Sequence, residues 1–348
     1  MWQYDKEKCI ICGAIPCNNN PETAITFEHI IPESLGNRNF GGYFLCKKCN
    51  GKLGELVDAK LCNNSLIASI RLYFNLAGKS GRFPRIQGKV GNIENASIIN
   101  GKLRLPDYLR EVEDGKFKGS ASTMGKAISM ITKTLQRRGY SYKIIEKAVL
   151  DIKNSNPIQI ENPTLTADIA FDKNEFTLAF IKIAYEYAFV KLGAEYQNDC
   201  VGILLKRLLC SFIEGEGDVL LLNSLPIANI YQVLDDSLSR NNVSKELYGH
   251  YCAKYFNECL GLKWVPAHVL RIIKLGDGLA ADIVLFCHPF FHYTVPITLT
   301  AELYNFNEDV DYIICYNSTV SNGEEEKLKS VLKENESCIF GFPPMTEL

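Results

Sequence analysis

Two cysteine pairs of identical spacing, Cys9-Ile-Ile-Cys12 and Cys46-Lys-Lys-Cys49, stand 33 residues apart near the start of this 348-residue chain. Thiolates three positions apart on a tight turn can face one ion at about 2.3 Å, and two such pairs complete a tetrahedral shell around Zn²⁺. A structural zinc of this kind holds together a segment too small to fold on its own core. Cys17, five residues after Cys12, is a further candidate ligand that spacing does not exclude. A redox role for either pair lacks the βαβ setting such motifs use. Between the pairs lies Thr26-Phe-Glu28-His29-Ile-Ile-Pro-Glu-Ser-Leu-Gly36, an acid beside an imidazole in an apolar run. Histidine is the side chain whose ordinary pKa lies nearest neutral pH.

The elements that must position these groups are short. The Glu28-His29 run reads as a strand ending at Pro32, and Tyr43 to Leu45 as a second strand. Leu53, Leu56 and Val57 have helical spacing, so a helix is predicted to begin near Cys49. The expected order is knuckle, strand, turn, strand, knuckle, helix.

The combination of C-x-x-C, EHIIPESLG and LCKKCN-x-x-LG-x-x-VD resembles the HNH endonuclease family, in its four-cysteine zinc-binding branch, over residues 9 to 58. The resemblance implies a ββα-metal nuclease that hydrolyses phosphodiester bonds of DNA, double-stranded DNA before RNA. It implies His29 as general base, with Glu28 and Asn50 holding a catalytic Mg²⁺ or Mn²⁺ through oxygen. The closed four-thiolate zinc of Cys9, Cys12, Cys46 and Cys49 cannot play that part. One position departs from the pattern: the middle asparagine, about five residues before the second knuckle, is Gly41 here. Asn37 or Asn39 is then the candidate to orient the base, with Asn39 taken into the catalytic set. Family members of this build suggest phage defence or restriction, and cutting two strands with one site per chain favours a homodimer.

Charge divides the chain unevenly. Residues 1 to 60 carry 7 Lys/Arg and 7 Asp/Glu, residues 61 to 150 carry 16 and 6, and the remainder 15 and 27. A basic middle points to an anionic partner. A helix is expected from Ser65 to Leu76, followed by Lys79, Arg82 and Arg85 in a surface stretch suited to phosphate contacts. Asn100-Gly101 marks a hairpin carrying Lys102 and Arg104, and Asp114-Gly115 a second carrying Lys116 and Lys118. From Ser122 to Arg138 the periodicity predicts a helix with an apolar face and a basic stripe of Lys126, Lys133 and Arg137.

Beyond Asn156 near-continuously apolar helices are predicted at 176–192 and 201–213. Strand-like runs follow at 219–222, 283–286, 293–300 and 312–315. The fold class is therefore α+β. A zinc-stapled ββα-metal module spans 1–62, a basic hairpin and helix region 63–155, and an acidic mixed α+β domain of unassigned role 156–348. His288 and His292 have no third ligand and read as structural. The remaining cysteines sit among apolar residues and read as small buried hydrophobes.

An odd count of 13 cysteines, no apolar leader in MWQYDKEK and no membrane-length apolar run suggest a reduced, cytoplasmic protein with no membrane partner. Two other readings compete with the nuclease. Gly41 in place of the asparagine supports a non-catalytic zinc-knuckle nucleic-acid-binding protein, and a thiol redox sensor would require the cysteines to be metal-free.

Overall fold

A computed structural model describes residues 7–113, 116–155, 163–168, 172–229, 264–316 and 322–339. Its contacts divide the chain into two compact units, one of residues 1–81 with 171–348 and one of residues 82–170. The changes of composition near 62 and 155 are changes of charge. The units divide elsewhere, at 81/82 and 170/171, because the cysteine-rich segment packs into the C-terminal part rather than standing alone.

In the first unit, β1 (Ile25–His29) and β2 (Gly41–Cys46) form an antiparallel hairpin, and α1 (Lys47–Leu53) leaves directly from β2. One turn of wider π geometry, Gly54–Asp58, carries the chain into α2 (Ala59–Asn63), and α3 (Ser65–Tyr73) follows. This is the expected ββα order. The long helix α6 (Lys173–Leu192) is apolar on every side, with fifteen buried residues, as a helix enclosed all round requires. On one side Phe189 meets Phe44 of β2 at 5.8 Å between ring centres, and Phe180 stacks on Tyr293 at 3.9 Å. One core therefore runs from Cys9 and Phe44 through Phe180 and Tyr185 to Tyr293 and Cys315.

Tyr293 belongs to an antiparallel sheet with strand order β12-β9-β10-β11-β8. Its strands are β8 (Ala228–Asn229), β9 (Ala267–Leu275), β10 (Gly278–Val284), β11 (His292–Thr298) and β12 (Val310–Ile314). This sheet clamps the loop that follows β1. Buried His268 donates from Nε2 to the Leu35 carbonyl at 3.0 Å, and the Tyr316 N–H donates to the Gly36 carbonyl at 2.8 Å. Gly36 sits at φ 99° with Cys315 so close that a Cβ would lie 2.6 Å from the cysteine's own Cβ. Only glycine fits there.

Two C-terminal expectations need correction. The run Val219 to Leu222 is helical, in α8 (Val219–Ser224), because Asp218 caps it by accepting from the Leu221 N–H at 2.8 Å. Four consecutive apolar residues carry no period of their own to decide between helix and strand. The strand expected at Ile283 to Phe286 instead ends at Val284, and Phe286 and Cys287 turn away at φ 54° and 49°. The helix α7 (Cys200–Glu214) lies where the near-continuous apolar run placed it.

The second unit contains β3 (Ile86–Val90), β4 (Ile93–Ile99), β5 (Lys102–Arg104), β6 (Tyr108–Glu113) and β7 (Lys116–Ser120). Its helices are α4 (Met124–Arg137) and α5 (Tyr142–Asn154). Asn100 and Gly101 take positive φ in the β4–β5 turn, as the hairpin requires, whereas the Asp114-Gly115 turn lies outside the described residues. Ile131 and Leu135 of α4 pack with Ile145 of α5 over Leu109 and Phe117 of the β6–β7 hairpin.

Because β1, β2 and α1 share their core with α6, a chain ending at Gly81 is expected to leave that core open to water. Amide hydrogens of Phe27 to His29 should then exchange far faster than in the full chain at equal zinc loading. Equal protection would show that the N-terminal segment folds independently.

Candidate active site

The four thiols of Cys9, Cys12, Cys46 and Cys49 lie within 4.8 Å of one another, and Cys12 and Cys46 are 3.7 Å apart at sulfur. Sulfurs at the corners of a tetrahedron of zinc radius are about 3.8 Å apart, so the donor set fits Zn²⁺. The first pair is shaped by a turn in which the Gly13 N–H donates to the Cys9 carbonyl at 2.8 Å. The Ile10 N–H ties this turn to the Phe44 carbonyl of β2 at 3.0 Å. Cys46 Sγ also caps α1, accepting from the Cys49 N–H at 3.5 Å. Cys17 is exposed and its sulfur is not among the four that cluster.

The hairpin register pairs Glu28 with Gly42 and His29 with Gly41. Alternation along β1 sends Glu28 inward, 5% exposed, and leaves Phe27 and His29 together on the outer face with ring centres 4.9 Å apart. The His29 pKa is lowered by partial burial, a pull that the charges of Lys182 and Lys79 reinforce and that Glu33 and a backbone hydrogen bond at Arg38 oppose. The imidazole is therefore neutral at pH 7, the form in which it can take a proton.

A Cβ at Gly41 would stand 2.0 Å from the Glu28 carbonyl oxygen, so no side chain can occupy that position. Asn37 is wholly buried, donates from Nδ2 to the Ile31 and Phe40 carbonyls at 2.7 Å each, and accepts from the Phe40 N–H at 2.9 Å. It closes the loop between His29 and β2. Asn39, the expected member of the site, is exposed on the turn.

Asn50 reaches back from α1 to β1. Both protons of its amide nitrogen are used, on Thr26 Oγ1 at 3.0 Å and on the Phe27 carbonyl at 3.1 Å. That leaves Oδ1 as the atom a hard cation would use. Glu28 meets a group from elsewhere in the chain: Lys182 of α6, with no exposed surface, ion-pairs with Glu28. The same ammonium lies 3.0 Å from Asp58 Oδ2, 3.5 Å from Glu186 Oε2 and 3.4 Å from the His29 carbonyl. Burial raises the Glu28 pKa to about 7 against the pull of Lys182, and raises Asp58 and Glu186 as well. Asp58 Oδ1 and both Glu186 carboxylate oxygens are buried without a hydrogen-bond partner among the described residues.

Residues 9–66 match the HNH endonuclease family. No curated protein and no solved structure matches the chain. Within the HNH segment the structure brings Glu28, His29 and Asn50 to one hairpin and its helix. Where the family has its middle asparagine, Gly41 makes a close backbone approach to Glu28, and Asn37 is buried in the loop before it. Sequence reading did not find Lys182, Asp58 or Glu186. The available signal was a lysine and a glutamate four residues apart inside the apolar run of 176–192, where a charge has to be paired.

Of the six expected nucleic-acid contacts, Lys79 belongs to the first unit, where its charge acts on His29. Arg82, Arg85, Lys126, Lys133 and Arg137 are exposed in the second unit. That unit holds 15 Lys/Arg against 9 Asp/Glu, and Lys126 spends part of its charge on Asp107. His288 and His292 are buried away from the HNH segment. His288 stacks on Trp264 at 3.8 Å, and His292 bonds Asp282 at 2.5 Å. Among the described residues no helix is long and apolar enough to cross a membrane.

Restoring the family's asparagine with Gly41→Asn is expected to disrupt the hairpin and lower the melting temperature. Asn37→Ala should destabilise by about 1–3 kcal/mol through the buried backbone groups it strands. Urea unfolding of both variants tests this, and a neutral Gly41→Asn would refute the contact.

Proposed function

We propose that the chain is a metal-dependent endonuclease of the HNH type that hydrolyses phosphodiester bonds in DNA. The reading is carried by one observation: on a cysteine-clustered ββα hairpin, β1 carries a partly buried imidazole biased to the neutral form on one face and the Glu28 carboxylate on the other, and Asn50 of α1 bonds back to the same strand. His29 takes the proton of the attacking water as general base. Glu28 and Asn50 Oδ1 hold a divalent cation, Mg²⁺ or Mn²⁺, which when bound supplies counter-charge for the phosphate and the leaving oxygen. The excess of buried carboxylate around Glu28 favours a cation there. Structural Zn²⁺ on Cys9, Cys12, Cys46 and Cys49 holds the hairpin against α1 and carries no substrate.

The basic second unit grips the phosphate backbone through Arg82, Arg85, Lys126, Lys133 and Arg137, with Lys79 nearer the base. A role in phage defence or restriction, action as a homodimer and a cytoplasmic setting complete the proposal. A specific observation supports a second reading. Glu28 is ion-paired to Lys182, which suits a zinc-knuckle protein that binds nucleic acid without cutting it.

Supercoiled plasmid incubated with purified protein separates the two. Nicking with Mg²⁺ or Mn²⁺ that stops with EDTA and falls at least a hundredfold in His29→Ala, zinc retained, is the expected result. Binding without cleavage by the wild type would support the second reading instead. Because the His29 pKa is depressed, its base form persists below the ordinary histidine range. At a metal concentration that keeps Glu28 ionised, cleavage should therefore hold steady from pH 8 to about 6.5 and decline only in more acid buffer.

Salt dependence tests the contact surface. Reversing Lys133 and Arg137 to glutamate is expected to weaken DNA binding, with a shallower slope of affinity against salt. An unchanged slope would remove α4 from the interface.

A further inference from the structure

Lys182 and Glu186 lie one turn apart on α6, more than a hundred residues beyond the end of the HNH segment, yet they meet Glu28 and Asp58. Three carboxylates among the described residues face one ammonium; Glu28, Lys182 and Glu186 are buried and Asp58 is largely so. The unusual feature is that full ionisation would leave two negative charges in excess, which burial resists by holding protons on the carboxylates unless a cation takes their place. An ion pair serving only to hold α6 against the hairpin needs no excess, and well-packed apolar residues do that work as well or better. Among the described residues Glu186 is fully buried with no hydrogen-bond donor to either oxygen, although Lys182 Nζ stands 3.5 Å away, and Asp58 Oδ1 has none either. Carboxylate in such a place is unfavourable unless a proton or a cation relieves it.

We propose that Asp58, Lys182 and Glu186 set the charge of the HNH metal site, leaving around Glu28 an excess matched to one divalent cation. This rests on the metal-dependent reading above. Lys182 and Glu186 are positioning residues in this scheme. Lys182 orients the Glu28 carboxylate and the His29 backbone from behind, and Glu186 holds the ammonium in place. The C-terminal half of the chain then supplies part of the nuclease site, beyond the segment that matches the family.

The test is Mn²⁺ affinity of the full chain, followed by electron paramagnetic resonance, with zinc content and melting temperature as controls for folding. Glu186→Gln keeps shape and removes one negative charge, so it should weaken Mn²⁺ binding by roughly tenfold or more. Lys182→Met removes the competing positive charge and should tighten binding by a similar factor. Opposite shifts from two neighbouring substitutions are the signature of charge setting, because simple damage to the fold would weaken both. If Lys182→Met loses its zinc, Glu186→Asp replaces it: it changes shape but keeps the charge, so Mn²⁺ affinity should stay near that of the wild type while Glu186→Gln loses it. Equal affinity in wild type and folded Glu186→Gln would overturn the proposal, as would a wild type that binds no Mn²⁺ at millimolar concentration. Cleavage does not enter this readout. A chain that shows the expected shifts but never cuts DNA would overturn the nuclease reading and uphold the charge cluster.

Discussion

A buried lysine can persist in a protein core only if its charge is answered close by, and the centre of the first unit is arranged around that requirement. Lys182 sits on a helix enclosed on all sides, so its ammonium has no route to water and must find carboxylates within the fold. Glu28 on β1, Asp58 at the end of the π turn and Glu186 one turn along α6 supply them. Each partner fixes an element: the hairpin, the segment between α1 and α2, and the helix itself. The wider turn at Gly54–Asp58 is part of this arrangement, since it is the turn that ends on Asp58. π turns of this kind recur at functional sites because they redirect a side chain without ending the helix.

Around that centre the chain sorts its donor groups by surroundings. The thiol cluster of Cys9, Cys12, Cys46 and Cys49 lies at the end of the hairpin where β2 runs into α1. The Glu28 carboxylate and the Asn50 amide lie along β1 and α1, with His29 on the opposite strand face from Glu28. One short strand thus turns a partly exposed imidazole outward and a carboxylate to the core, which follows from the alternation of side chains along an extended chain. The loop joining the strands is then held from three directions, by Asn37 within it, by His268 from the sheet and by the Tyr316 backbone. Fastened in this way, the loop that follows His29 is held in one arrangement.

Much of this was legible in the residues themselves. Paired C-x-x-C spacing, Glu28-His29 before a proline and Asn50 after the last cysteine sufficed for the ββα order, because metal ligation and helix capping are local and depend on residue type and spacing. The Asn100-Gly101 hairpin, the apolar periodicity of α4 and the long, near-continuously apolar runs of α6 and α7 were legible for the same reason. Val219 to Leu222 was not, since an aperiodic apolar run leaves the choice to Asp218 and to packing. The strand through Ile283 likewise stopped short where two residues adopted positive φ, a cost that only surrounding contacts can meet.

Tertiary structure alone decided the rest. That Gly41 excludes any side chain depends on how closely β1 and β2 approach, a distance set by the pairing of two strands. The choice of Asn37 over Asn39 depends on which one the loop turns inward. The sequence marked Lys182 and Glu186 as charges in an apolar helix, but naming Glu28 and Asp58 as their partners required bringing together positions more than a hundred residues apart. Local chemistry is written in spacing along the chain, whereas the compensation of a buried charge is a property of the folded core and appears only when distant segments meet.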